Sequence, residues 1–189
     1  MNNPPIPHSE RLIVVVGPSG AGKDSVLAAW AALRGAGDPP VHQARRTISR
    51  PAEGSAGEQH EPVTPEQFTQ LLLTGAFATA WQAHGLGYGV RHAELTPLAQ
   101  GQWVVLNSSR AHLPVLRQQA PGLAVVQVTA PAELRTARIA ARGREDTATV
   151  AARVARELPP IEAELTLVND SSLDEVAQAL QRWWKARSR

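Results

Sequence analysis

Residues 17 to 23 of this 189-residue sequence read Gly17-Pro18-Ser19-Gly20-Ala21-Gly22-Lys23. In a glycine-rich loop of this kind, backbone N–H groups surround phosphate oxygens and the lysine reaches the terminal phosphates. The residues before the loop, 11–16, are mostly apolar and β-branched, and those from Lys23 onward have apolar side chains at helical spacing. The order of strand, loop and helix predicts a P-loop and favours it over a glycine-rich turn without function.

Two oxygen-bearing residues, Asp24 and Ser25, come directly after the lysine. A P-loop usually has serine or threonine at the first of these positions, where the hydroxyl holds Mg²⁺. Because Mg²⁺ favours oxygen ligands and keeps several waters, the Asp24 carboxylate can hold the ion directly or through water. The same negative charge would also stabilise the first turn of a helix. We therefore expect ATP and Mg²⁺ as cofactors, and the sequence leaves open whether Asp24 or Ser25 binds the metal.

Strands and helices alternate along the rest of the sequence, with strands predicted at residues 41–49, 103–106, 123–128 and 165–168. Helices are predicted at 65–74, 131–143, 147–158 and from 173 onward. Two of them begin with capping boxes, Thr64 with Gln67 and Ser172 with Glu175. The core face of the last helix is expected to consist of Val176, Ala177, Leu180 and Trp184. This alternation predicts an α/β fold with a parallel sheet flanked by helices.

The composition limits the classes of protein to which the chain can belong. The sequence has no cysteine, which excludes disulfides, thiolate metal sites and cysteine nucleophiles. Lysine and arginine number 19 against 17 aspartate and glutamate, and this small excess does not indicate a nucleic-acid partner. Apolar runs such as 12–16 are too short to span a membrane, and the first residues do not resemble a signal peptide. We therefore expect a cytoplasmic protein with one domain over residues 11–189 and a loose tail over residues 1–10.

Arginines form a first group in the helix predicted from residue 131. Arg135, Arg138 and Arg142 are three and four residues apart and share one helix face, and Arg144 follows. Such a stripe can be a solvated surface. Phosphoryl transfer, however, needs cations near the moving group, often on a mobile element, and this favours a lid.

A second basic group contains Arg45, Arg46 and Arg50, with His60 after the intervening loop. An arginine guanidinium offers a planar fork of donors that suits phosphate oxygens. We expect this group to bind a phosphate of the acceptor. The alternative is an edge strand that its charges protect from pairing with another strand.

Several motifs occur in the order in which guanylate kinases have them. Besides the loop at 17–23 they are Arg46-Thr47-x-x-Arg50-Pro51, Gly57-Glu58, Gly75-x-Phe77, Gly87-Tyr88-Gly89 and Asn169-Asp170. The chain resembles this family from about residue 11 to residue 186. The resemblance implies a guanylate-kinase-like P-loop NTPase fold with an acceptor-binding part at about 41–90 and a lid at about 138–153. It also implies that Lys23, Arg138 and Arg142 are catalytic and that Arg135 and Asn169 lie beside the base of ATP.

Departures from the guanylate kinases indicate a related family. Guanylate kinases have a glutamate two residues after the phenylalanine of the Gly-x-Phe motif, and this glutamate recognises guanine. This sequence has Thr79 at that position. Five segments closely resemble the ribose 1,5-bisphosphate phosphokinases of phosphonate breakdown: Lys23-Asp24-Ser25, Arg50-Pro51, residues 57–60, residues 81–90 and above all residues 107–113. That resemblance implies ATP-dependent phosphorylation of the 1-phosphate of ribose 1,5-bisphosphate to 5-phosphoribosyl 1-diphosphate. The acceptor-binding residues are then expected to be Arg46, Arg50, His60, Tyr88 and Arg110.

The chemistry agrees with a phosphorylated sugar as the acceptor. Such a molecule needs cations and hydroxyl donors more than a carboxylate that recognises guanine. Its phosphate already carries nucleophilic oxygens, so no catalytic acid or base is predicted, and His112 is expected to be structural or exposed. The alternatives are a nucleoside monophosphate kinase and a non-catalytic guanylate-kinase-like module, although Lys23 and the lid arginines disfavour the latter. The expected partner is a small-molecule substrate, not a nucleic acid or a membrane, and a homodimer stays open.

Overall fold

A computed structural model describes residues 4–50, 60–141 and 160–188 of the chain. The strands are β1 (Leu12–Val16), β2 (Val41–Gln43), β3 (Arg46–Ile48), β4 (His60–Pro62), β5 (Phe77–Ala83), β6 (Leu86–Arg91), β7 (Trp103–Asn107), β8 (Ala124–Thr129) and β9 (Leu165–Val168). The helices are α1 (Lys23–Leu33), α2 (Pro65–Leu73), α3 (His92–Ala99), α4 (Leu113–Gln119), α5 (Ala132–Ala140) and α6 (Leu173–Arg187). Ser9–Arg11 and Arg110–His112 form single 3-10 turns. The helix predicted at 147–158 lies outside the described residues.

The larger sheet in the described ranges has the strand order β2-β7-β1-β8-β9. β2 runs parallel to β7, with Val41 opposite Trp103, and β8 runs parallel to β9, with Val126 opposite Leu165. Every residue of β1 and of β7 is buried. Strands that are buried throughout are typical of parallel sheets covered by helices on both faces. The predicted α/β fold with a parallel sheet is therefore confirmed.

The smaller sheet has the order β4-β3-β6-β5 and is mixed, because β3 is parallel to β4 while β6 is antiparallel to both β3 and β5. The prediction of one strand over residues 41–49 was wrong. Residues 41–43 belong to the larger sheet, where the Ala44 N–H still donates to the Val105 carbonyl, and residues 46–48 belong to the smaller one. A continuous run of strand-forming residues cannot show in which sheet each half finds its partner.

The chain divides into two compact units. Unit 1 consists of Met1–Val14, Pro40–Ser108 and His112–Ala124 and contains the smaller sheet with α2, α3 and α4. Unit 2 consists of Val15–Pro39, Ser109–Ala111 and Val125–Arg189 and contains the glycine-rich loop with α1, α5 and α6. The predicted acceptor-binding part, residues 41–90, falls in unit 1. Most of the predicted lid, from residue 142 to residue 153, lies outside the described residues.

The described part of the N-terminal segment differs from the predicted loose tail. Ile6 is buried, and its N–H donates to the Gln119 carbonyl at 2.6 Å. Ser9 is also buried, and its hydroxyl accepts a hydrogen bond from the Gly122 N–H. Gln119 Nε2 also donates to the Pro4 carbonyl at 3.5 Å. One apolar side chain and these hydrogen bonds therefore hold this segment on unit 1, although its prolines give no periodic pattern in the sequence.

Helix α1 and helix α6 form the core of unit 2. All four predicted core residues of α6 are buried, and the Trp184 ring meets the Trp30 ring edge to face at 5.6 Å. The Trp30 indole N–H donates to Gln181 Oε1 at 2.6 Å. Without this hydrogen bond, burial of the N–H group would cost free energy of folding. Ser172 precedes α6 as its N-cap but makes no side-chain cap hydrogen bond, so the capping box predicted there is absent. None of the helices in the described ranges is long and apolar enough to cross a membrane.

Candidate active site

The glycine-rich loop connects β1 to α1 in unit 2, as predicted. Gly20 and Gly22 have φ angles of 79° and 83°, a left-handed conformation that residues with a Cβ adopt rarely. A Cβ at Gly20 would come within 2.6 Å of the Arg135 carbonyl oxygen, and one at Gly22 would overlap Asn169 Nδ2. Only glycine therefore allows the loop to follow this path between α5 and the end of β9.

Lys23 is the first residue of α1, and its side chain turns back over the loop. Its Nζ donates to the carbonyl oxygens of Gly17 at 3.0 Å and of Pro18 at 3.2 Å. The ammonium group is half-buried there. The structure thus holds a positive charge against the backbone of the loop, and the contact of Lys23 with the terminal phosphates stays a prediction.

Asn169 connects the loop to helix α5. It is buried, and its Nδ2 donates to the Ala21 carbonyl at 2.8 Å. Its own carbonyl oxygen accepts a hydrogen bond from Arg138 Nη1 at 3.1 Å. Arg135, on the same helix, donates from Nε to the Ala130 carbonyl at 3.1 Å. The structure therefore brings Lys23, Asn169 and Arg138 together around one loop, and the role of Arg135 and Asn169 beside the ATP base stays a prediction.

Asp24 and Ser25 lie in the first turn of α1, where Asp24 is half-buried and Ser25 is exposed. Among the described residues, no three side chains of histidine, cysteine, aspartate or glutamate converge in a way that could hold a metal ion. Mg²⁺ is usually bound through one or two carboxylates together with substrate phosphates and waters, and its binding at Asp24 or Ser25 stays a prediction. Arg142 and Arg144, like the Gly57-Glu58 motif, lie outside the described residues.

One face of the smaller sheet in unit 1 carries three of the predicted acceptor-binding residues. In the register, Arg46 lies opposite both His60 and Val90, and Tyr88 lies opposite both Ile48 and Trp81. Residues directly opposite one another, and residues two apart on a strand, share a face. The face, called the Tyr88 face below, therefore consists of Arg46, Ile48, His60, Pro62, Thr79, Trp81, Tyr88 and Val90.

The other two predicted acceptor-binding residues are not in the strands of this sheet. Arg50 follows β3 in unit 1, is half-buried, and its backbone N–H donates to the Ile48 carbonyl at 2.7 Å. Arg110 begins the 3-10 turn Arg110–His112 and belongs to unit 2.

Aromatic rings are stacked along the Tyr88 face. The Trp81 ring lies on Tyr88 with 5.4 Å between ring centres, and on His112 with 4.7 Å. The Arg46 guanidinium lies over the Tyr88 ring, 5.9 Å from its centre. Neither Trp81 nor His112 was predicted as part of the site, because both contacts depend on strand register and on a turn distant in sequence.

Thr79 is fully buried, and its hydroxyl forms hydrogen bonds with two buried side chains, His112 and Gln119. Its hydroxyl donates to Gln119 Oε1 at 2.9 Å, so its contact of 2.7 Å with His112 Nε2 makes the imidazole the donor. Gln119 Nε2 in turn donates to the Ala78 carbonyl at 3.1 Å. His112 was expected to be structural or exposed, and the structure shows that it is buried. Thr79 already has its hydrogen-bond partners, His112 and Gln119, within unit 1.

The opposite face of the smaller sheet carries an ion pair that links three strands. Arg91 donates to both carboxylate oxygens of Glu61, at 3.0 and 2.7 Å, and the Thr47 hydroxyl donates to Glu61 at 2.6 Å. The Arg91 hydrogen bond is the main cause that lowers the pKa of Glu61. This bidentate pair holds β4, and with it His60, against β3 and β6.

Burial lowers the pKa of His112 from 6.5 to about 4, so its protonation should couple to stability. Between these two pH values the unfolded chain binds a proton that the folded chain does not. Stability from this residue is therefore fully present above pH 6.5 and is lost as the pH falls toward 4. We expect wild type to lose on the order of 2–3 kcal/mol more than His112→Phe over this range, measured by urea unfolding. His92→Gln, which changes an exposed histidine, is the control. Equal losses of stability in wild type and in His112→Phe would contradict this expectation.

Comparisons with known proteins agree on one group. The family model described as guanylate kinase matches residues 9–187. The ribose 1,5-bisphosphate phosphokinase PhnN of Methylobacterium radiotolerans is 43% identical over 89% of this chain and 94% of that protein. The PhnN protein of Acidiphilium cryptum is 41% identical over 92% of each.

Two further comparisons concern longer proteins and solved structures. The bifunctional ribose 1,5-bisphosphokinase-thymidine phosphorylase of Azorhizobium caulinodans is 42% identical over 84% of this chain. The chain spans about a quarter of the length of such bifunctional relatives, 23% in this case. The crystal structure of guanylate kinase from Anaplasma phagocytophilum has a TM-score of 0.65 at 16% identity, covering 94% of this chain and 85% of that one. This likeness shows the guanylate-kinase-like fold.

Proposed function

We propose a function on the premise that this chain belongs to the guanylate kinase family and, within it, to the ribose 1,5-bisphosphate phosphokinases. The proposed reaction is the ATP-dependent phosphorylation of the 1-phosphate of ribose 1,5-bisphosphate. Its products are 5-phospho-α-D-ribose 1-diphosphate and ADP. The proposal includes a place in phosphonate catabolism and a cytoplasmic location.

The observation that carries this proposal is the chemical composition of the Tyr88 face. Arg46, His60 and Tyr88 offer a guanidinium, an imidazole and a phenol, and no residue of the face is a carboxylate. Glu61 is a neighbour in sequence, but it lies on the opposite face and is bound to Arg91. Donors without a carboxylate suit an acceptor that has phosphates and no base.

The glycine-rich loop fits the phosphates of ATP. Its path needs glycine at positions 20 and 22, and Lys23 Nζ lies against the loop carbonyls. In the proposed reaction, loop N–H groups bind the phosphates, and Lys23 binds the terminal ones. Asp24, with Ser25 as the alternative, would hold Mg²⁺, which neutralises charge on the phosphates when it is bound.

The proposed transfer step needs positioning more than proton transfer. An oxygen of the 1-phosphate forms a bond to the γ-phosphorus of ATP, the bond from that phosphorus to the bridging oxygen breaks, and ADP leaves with the electron pair. The attacking oxygen is already ionised near neutral pH, so no side chain has to remove a proton. Arg138, with Arg142 outside the described residues, is proposed to stabilise the charge of the group in transfer.

The acceptor preference tests the proposal directly. With purified full-length protein, ATP and Mg²⁺, ribose 1,5-bisphosphate should give a kcat/KM at least about a hundredfold above that of GMP, measured as ADP release. The phosphorus NMR spectrum of the product should show the pair of coupled resonances that a diphosphate gives. Ribose 5-phosphate, which lacks the accepting phosphate, serves as the matched control and should not exceed ATP hydrolysis without acceptor. A kcat/KM for GMP equal to or above that for ribose 1,5-bisphosphate would establish a nucleoside monophosphate kinase instead.

A further inference from the structure

Tyr88 has an aromatic neighbour and a cationic neighbour on the Tyr88 face. Strand β6 lies between β3 and β5 in the sheet, so the Tyr88 ring has a neighbour on each side. Trp81 on β5 stacks against it with an angle of 8° between the ring planes, and the Arg46 guanidinium on β3 lies over it. Tyr88 therefore contacts an indole from β5 and a cation from β3.

His112 packs against Trp81, the indole that contacts Tyr88. Its ring is stacked on Trp81 with an angle of 19° between the planes. The hydrogen bond from Nε2 to Thr79 fixes the rotation of the imidazole about its side chain. Thr79 is fixed in turn by Gln119, whose amide is bound to the carbonyl of Ala78, at the point where the β5–β6 register shifts. Each ring plane is thus set by the one before it, from His112 through Trp81 to Tyr88.

We propose that His112 is a positioning residue for the acceptor, because its ring plane fixes Trp81 and, through Trp81, the side chains of Tyr88 and Arg46. This inference rests on the proposed function in one respect only, that the Tyr88 face binds the acceptor. His112 itself is buried and need not touch the substrate. The motif at residues 107–113 then has a physical role, because it places His112 at the end of the 3-10 turn before α4.

The arrangement also favours charge over stacking in recognition. A nucleobase gains binding energy from a free aromatic face, whereas the Tyr88 ring is already stacked on Trp81 and contacted by the Arg46 guanidinium. A phosphate gains from a guanidinium whose position is fixed, because less side-chain freedom is lost on binding. A base-free sugar phosphate is therefore the class of ligand that this stack suits.

Two variants of His112 separate the stack from the hydrogen bond. His112→Gln keeps a donor for Thr79 but removes the ring, whereas His112→Phe keeps the ring and removes the donor. We expect His112→Gln to raise the acceptor KM by about five- to tenfold with the ATP KM unchanged. His112→Phe should stay within about twofold of wild type, and Gln118→Ala, an exposed neighbour on α4, should match wild type.

A KM effect on one substrate distinguishes positioning from a merely structural role, which would lower the melting temperature and the amount of active enzyme but leave both KM values unchanged. The KM is measured for whichever acceptor the wild type prefers, so a preference for GMP would defeat the proposed function without deciding this inference. A wild-type acceptor KM in folded His112→Gln would overturn the positioning role. An equal rise in both variants would overturn the assignment to the stack, because it would trace the effect to the hydrogen bond.

Discussion

Lys23→Ala is expected to lower kcat by at least about a thousandfold while the protein stays folded. The lysine ammonium lies against the carbonyl oxygens of Gly17 and Pro18, and its half-buried side chain is not part of the apolar core of unit 2. Its removal deletes a positive charge at the proposed site of the terminal phosphates. In phosphoryl transfer such charges stabilise the transition state more than they stabilise bound ATP, so the loss should fall mainly on kcat.

Steady-state kinetics with saturating ATP and acceptor measure this loss, and thermal unfolding checks the fold. Lys185→Ala is the matched control, because Lys185 is an exposed lysine of unit 2 whose Nζ pairs with Asp38 at 2.9 Å. The Lys185 side chain is exposed in this pair, so its loss is expected to cost about 1 kcal/mol of stability, and no role in the reaction is proposed for it. Near-normal turnover of folded Lys23→Ala would contradict the assignment of the loop to ATP.

The glycine-rich loop could be predicted from the sequence because its signal is local. Seven consecutive residues contain the glycines, the lysine and the strand and helix boundaries that give the loop its meaning. The capping box of α2 is local in the same way, and Thr64 and Gln67 exchange both of its hydrogen bonds. At α6 the same pattern fails to form a box, since a side chain near a helix start can adopt other conformations.

The hairpin of β5 and β6 was harder to predict because glycine is unfavourable in strands. Gly87 and Gly89 weaken the sequence signal for β6, yet both are required by packing. A Cβ at Gly87 would come within 2.5 Å of the Phe68 ring, and one at Gly89 within 2.5 Å of the Phe77 ring. The residues that obscure the strand in the sequence are thus those that let the sheet pack on its aromatic core.

The acceptor side of the site was predictable only where a motif carried it. Arg46, His60 and Tyr88 were identified from the order of motifs, and strand register places them on one face. Trp81 and His112 lie in the segments 81–90 and 107–113, which carry the resemblance, but it gave neither residue a role in the site. The contact between Thr79 and Gln119 joins residues 40 positions apart. Such contacts depend on a register shift within β5, which no local pattern indicates.

Arg138→Ala is expected to lower kcat by roughly a hundredfold with little change in ATP affinity, if the guanidinium stabilises the group in transfer. Arg138 Nη1 donates to the carbonyl of Asn169, whose side-chain amide is bound to the loop at Ala21. The cation is therefore held at a fixed place relative to the loop, and charge held in advance lowers the barrier more than mobile charge. Arg138→Lys should recover only part of the rate, because an ammonium cannot reproduce the planar fork that binds Asn169 and a phosphate together.

Single-turnover rates and ATP dissociation constants, measured separately, decide the role of Arg138. Thr136→Ala is the matched control, because this exposed residue of α5 bonds only within its own helix, to the carbonyl of Ala132. A loss of ATP affinity with an unchanged transfer rate would show that Arg138 binds the ground state. A fall in both to the same extent would show that the bond to Asn169 mainly holds the loop in shape. A loss confined to the transfer rate would leave Arg138 acting on the transition state, because the loop that Asn169 holds would still bind ATP normally.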